Sequence, residues 1–126
     1  MDLLSLDKHP LGRIWLDEFG DTSSPEGMQE LRAISPLHRA QMIGPAHGLP
    51  RFLGIVLGED SRVNPDDSYA LASALREAGA EALVWEAPHA GHGHNHLDSL
   101  HSMGSMLLSF AAHTTGRTRS FEGRDA

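Results

Sequence analysis

Cysteine is absent from the 126 residues. That excludes a disulfide framework and any thiolate metal site, and it fits a reducing compartment. Basic side chains are scarce: ten Lys and Arg stand against seventeen Asp and Glu, for a net charge of −7. No basic patch is available to neutralise phosphates, so a nucleic-acid partner is not expected. No apolar run approaches the length of a membrane span, so no membrane partner is expected either. Met1-Asp2-Leu3-Leu4-Ser5-Leu6 lacks a basic n-region and a cleavage site, so it does not read as a signal peptide. The chain starts abruptly in apolar residues, as a truncated chain would, with a cytoplasmic setting favoured over a secretory one.

What is present suits a soluble globular protein of at most one domain, with 40% hydrophobic and 21% charged residues. Residues 2–9 read as a short helix or a loop. Leu11 to Gly20 sets Trp15 and Phe19 among charges and closes on the turn signal Gly20-Asp21. Ser24-Pro25-Glu26 opens a helix running to about Ile34, which Ser35-Pro36 ends. From His38 to Pro50, two prolines and two glycines predict a loop.

Phe52-Leu53-Gly54-Ile55-Val56-Leu57 is a continuous apolar run, short and rich in β-formers, and predicts a buried parallel strand. Gly58 to Val63 is then the loop at its carboxyl end. Asn64-Pro65-Asp66-Asp67 is a helix opening: an Asn cap, proline at the first helical position, and two carboxylates at the positive end of the dipole. Tyr69, Leu71, Ala72 and Leu75 give that helix its stripe, and Gly79 closes it. Glu81 to Glu86 is the next strand. Strand, helix and strand with short connections make one βαβ unit, so the expected fold class is α/β with the two strands parallel and adjacent. A last helix spans about Leu97 to Ala112, with Leu97, Leu100, Met103 and Leu107 at helical spacing. The expected organisation is one folded part over 1–113 and a polar, disordered tail over 114–126.

Between the second strand and the last helix lies Pro88-His89-Ala90-Gly91-His92-Gly93-His94-Asn95-His96, with four histidines in eight residues. Two chemistries compete for it: a catalytic base, or a metal site built on His92, His94 and His96 with His101 nearby. Three histidines on one glycine-rich loop without a clear fourth ligand make a poor structural zinc site. Ligands in open α/β sheets bind beyond the carboxyl ends of strands. Asp60 and His92 sit in such loops after neighbouring strands. The acid would fix the imidazole's tautomer, and the free ring nitrogen would take a proton from a nucleophile.

Four pieces carry a resemblance: Trp15-Leu16-Asp17-Glu18-Phe19-Gly20-Asp21, Ser35-Pro36-Leu37-His38, Asp60-Ser61-Arg62-Val63 and Ala90-Gly91-His92-Gly93. In this order and with these gaps the chain resembles the C-terminal part of the catalytic domain of the prolyl oligopeptidase family of serine peptidases. The resemblance implies a partial α/β-hydrolase fold and a peptide substrate cleaved after proline; no cofactor and no metal are expected. It implies Asp60 as the triad acid and His92 as the triad base. It further implies Arg62 as the ligand of a substrate carbonyl, Trp15 as the indole stacked on the proline ring, and Phe19 and Val63 as walls of that pocket. The chain departs from the family in having no Gly-x-Ser-x-Gly, and in a loop before Asp60 one residue shorter than expected. A fragment carrying acid and base without nucleophile or oxyanion hole is expected to be inactive alone, its missing partner being the front of the catalytic domain.

Blander readings compete residue by residue. His92 would be a plain loop histidine, Asp60 a turn cap, Trp15 core packing and Arg62 a surface ion-pair former. Asp66 and Asp67 would be helix-start charges, and His89, His94, His96 and His101 solvent-facing. A non-enzymatic interaction module or a His-rich metal-binding domain is the alternative at the level of the whole chain.

Overall fold

A computed structural model describes residues 1–9, 11–87, 89–91 and 97–116. Met1–Asn95 and His96–Ala126 form two compact units.

The first unit opens with a 3₁₀-helix, Leu3–Lys8, whose Leu3 and Leu6 are buried. Helix α1 (Gly12–Phe19) follows and packs against it. That contact is close enough to specify glycine: a Cβ on Gly12 would stand 1.6 Å from the carbonyl oxygen of Leu6. Helix α2 (Pro25–Ile34) begins where the sequence signals it, with the Ser24 hydroxyl accepting from Gly27 N–H at 3.1 Å.

Ser35 ends α2 in an extended conformation, and helix α3 (Pro36–Ile43) starts at the next residue. The predicted loop from His38 to Pro50 is therefore wrong in its first half. Its glycines and prolines all fall at Gly44 and beyond, and nothing before Gly44 breaks a helix that Pro36 opens. Ser35 is fully buried. Its hydroxyl accepts from Leu3 N–H at 3.3 Å and shares a 2.9 Å hydrogen bond with His38 Nδ1. The Ser35-Pro36-Leu37-His38 piece thus ties the start of the chain to the α2–α3 corner.

Strands β1 (Phe52–Leu57) and β2 (Ala82–Ala87) pair in parallel, with Phe52 opposite Ala82 and Leu57 opposite Ala87. Helix α4 (Pro65–Glu77) crosses between them and packs on both strands. The Asn64 side chain accepts from Asp66 N–H at 3.1 Å, as its cap position predicts. Gly79 turns the chain out of α4 at φ 96°, beside the carbonyl of Ala46. The covered sheet face carries Gly54, Val56 and Ala82, all buried. Arg76 Nε donates to Ala82 O at 2.7 Å, and the Tyr69 hydroxyl donates to Glu86 Oε2 at 2.5 Å. Side chains alternate across a strand, so Leu53, Ile55, Leu83 and Trp85 share the opposite face. Among the described residues that face is only partly covered, and Leu83 remains 45% exposed.

In the second unit, helix α5 (Leu97–Thr114) runs two residues past its predicted end. Thr114 and Thr115 turn their hydroxyls back to carbonyls of the last turns. No described helix is long and apolar enough to cross a membrane.

Candidate active site

The loops leaving the two strands lie side by side. Gly58 N–H donates to Ala87 O at 2.9 Å and Glu59 N–H to Ala90 O at 3.0 Å, so the ladder continues past both strand ends. Glu59 immediately precedes Asp60. Ala90 stands two residues before His92, which lies outside the described residues, as do His94 and His96.

Asp60 closes its own turn. Its Oδ1 accepts from Arg62 N–H at 2.8 Å and Val63 N–H at 3.1 Å, and its own N–H donates to Leu57 O at 3.1 Å. These bonds fix the loop and the direction of the carboxylate together. They also set Arg62 and Val63 on the far side of the turn.

Arg62 and Val63 face α1 across a cavity of about 120 Å³. Trp15 supplies one wall, and Met1, Leu6 and Leu11 extend the apolar lining. Three of the four predicted substrate-binding side chains therefore meet at one place. Phe19 is not among the lining residues; it lies one turn along α1 from Trp15 and is 39% exposed. Trp15 is not core packing, since 48% of it is accessible. The guanidinium of Arg62 has no ion-pair partner among the described residues.

The lining also includes residues that the sequence did not single out for this role. His9 follows the opening 3₁₀-helix, and its Nε2 lies 3.8 Å from Asp67 Oδ2 on the first turn of α4. Asp67 is thus more than a helix-start charge. Asn64 joins the same wall. No local pattern marks His9, because the pairing depends on how the chain start docks against α4. His89 and Glu59 lie 3.7 Å apart nearby, but both are largely exposed, and such pairs contribute little.

A curated relative, prolyl oligopeptidase A of Amanita bisporigera, is 30% identical over 76 residues. The match covers 60% of this chain and 10% of the relative, so it spans about a tenth of that protein's length. No solved structure matches the chain. The model of the prolyl oligopeptidase family matches residues 1–118, taking in the Asp60 turn, the cavity and the paired strand-end loops. This chain belongs to the prolyl oligopeptidase family, a family of serine peptidases.

Proposed function

We propose that this chain is the acid- and base-bearing part of a serine peptidase that cleaves peptides on the carboxyl side of proline. The observation that carries the reading is the cavity joining Trp15, Arg62 and Val63 directly beyond the Asp60 turn. A flat indole and a small apolar wall suit a pyrrolidine ring. A guanidinium at the rim fixes peptide register by directed hydrogen bonds to a carbonyl. Phe19 extends the apolar surface along α1 beyond the cavity.

In this reading Asp60 uses Oδ2 to orient the imidazole of His92 and to stabilise its protonated form, while Oδ1 holds the turn. His92 takes the proton of a serine hydroxyl and returns it to the leaving amine. The sequence contains no Gly-x-Ser-x-Gly, so serine and oxyanion donors come from the front part of the catalytic domain. That part is the partner the chain requires, and the partly covered face around Leu83 and Trp85 gives it an apolar surface to pack on. Without it the largest sources of rate are missing and the chain alone does not hydrolyse peptides.

Two measurements on the 126-residue chain test this. A fluorophosphonate probe is expected to leave it unlabelled; labelling would overturn the assignment of the nucleophile elsewhere. A blocked glycyl-proline amide is expected to shift the indole resonance of Trp15 in an NMR titration, and a glycyl-alanine amide is not. Equal responses to both would remove the ring pocket.

A further inference from the structure

The cavity has a polar flank that a plain proline pocket does not use. His9 and Asp67 are among the cavity's lining residues, and their Nε2 and Oδ2 lie 3.8 Å apart, with side chains 11% and 15% exposed. That spacing exceeds a hydrogen bond, whose heavy atoms sit about 2.7–3.2 Å apart. A hydroxyl oxygen set to one side of the line joining them, about 2.8 Å from each, bridges the pair by accepting from Nε2–H and donating to the carboxylate. Among the described residues neither side chain has another hydrogen bond or ion pair.

The pair is held ready by the backbone on both sides. His9 N–H donates to Leu6 O at 3.2 Å, and its carbonyl accepts from Gly12 N–H at 3.0 Å. Asp67 N–H donates to Asn64 O at 3.2 Å. The same cavity is lined by the apolar side chains of Leu11, Trp15 and Val63. A bare ring seated there strips water from an imidazole and a carboxylate and gives nothing back. A ring that carries a hydroxyl replaces the lost water with two hydrogen bonds.

We infer that His9 and Asp67 are specificity-determining residues that favour a hydroxylated pyrrolidine, 4-hydroxyproline, over proline in this cavity. The inference rests on the reading of the cavity as the substrate's ring pocket. No step of the hydrolysis passes through either residue; they act on which ring is seated.

The test is an NMR titration of the 126-residue chain, read at the Trp15 indole. The probes are blocked glycyl amides of proline, trans-4-hydroxyproline and trans-4-fluoroproline. The hydroxylated peptide is expected to bind about tenfold tighter than the proline peptide, the worth of one well-made hydrogen bond. The fluorinated ring shares its pucker but has no proton to donate, and is expected to bind like proline. In His9→Phe and Asp67→Ala, checked for folding by thermal melting, the ratio of hydroxyproline to proline affinity is expected to fall to about one, whatever the change in absolute affinity; a ratio still near ten overturns the inference. Equal binding of proline and hydroxyproline peptides, with Trp15 responding to both, overturns the inference and leaves the ring pocket standing. So does an equal gain from the fluorinated ring. No response at Trp15 to any probe overturns the ring pocket itself and the inference with it.

Discussion

The amide of Glu59 donates to the carbonyl of Ala90 at 3.0 Å. One backbone bond therefore tethers the loop that holds Asp60 to the segment that leads into His92. The acid and base roles proposed for Asp60 and His92 would need such a tether, because effective general-base chemistry depends on geometry within hydrogen-bond reach. The tether uses main-chain atoms, so it survives any side-chain substitution that leaves the backbone in place.

The turn-holding bonds of Asp60 are separable by substitution from the acid role proposed for it. Asp60→Asn keeps an oxygen for the Arg62 and Val63 amides and removes the charge. Asp60→Ala removes both. Urea unfolding is expected to show Asp60→Ala less stable by about 1 kcal/mol, with Asp60→Asn closer to wild type. Equal loss in the two variants would mean that the bonds to Arg62 and Val63 do not hold the turn.

Gly12 is expected to tolerate no side chain. A Cβ would collide with the Leu6 carbonyl at 1.6 Å, and neither backbone segment can yield without moving the cavity wall. Gly12→Ala is expected to cost about 1–3 kcal/mol and to weaken the response of Trp15 to a proline peptide. A variant as stable as wild type would show that the opening helix and α1 do not approach as described.

Ser35→Ala removes the acceptor of the Leu3 amide at a fully buried position. The expected loss is about 1–3 kcal/mol, the cost of a buried donor left unpaired. Hydrogen exchange at Leu3 is expected to rise more than at β1. Unchanged exchange at Leu3 would mean that the Ser35 hydroxyl does not tie down the chain start.

Tyr69 is the single tyrosine, so its ultraviolet absorbance titration reads one group. The hydrogen bond to Glu86 favours the neutral phenol and raises its pKa above the ordinary 10.0. With the folded pKa raised, the stabilisation from this bond is fully present below the unfolded pKa. It is lost as pH rises through the folded value. Glu86→Gln is expected to bring the midpoint down toward the ordinary value. An unchanged midpoint would show that the hydrogen bond does not control the titration.

The elements with local signals were legible in the sequence. Asn64-Pro65-Asp66-Asp67 carries a cap, a proline and dipole-matched charges within four residues, and α4 starts there. The apolar run from Phe52 to Leu57 is β1 residue for residue. Helix α3 was hidden because breakers clustered at Gly44–Pro50 coloured the reading of the six residues before them. Of the cavity, Trp15, Arg62 and Val63 were legible only through motif resemblance. His9 was not legible at all: its partner Asp67 lies on another element, and nothing in the residues beside it records that meeting. Asp67 fills the helix-start role that its position predicts, and its sequence neighbours carry no sign of the pairing with His9.

The two strands pair only with each other among the described residues, and apart from Ala82 O, which takes Arg76 Nε, each has an outer row of main-chain donors and acceptors. With the exposed Leu83 and the partly buried Trp85, those rows predict that stability depends on chain concentration. Melting temperatures of variants are comparable only at matched concentration, and a melting point that climbs with concentration would register copies of the sheet lending one another the edge that each leaves open.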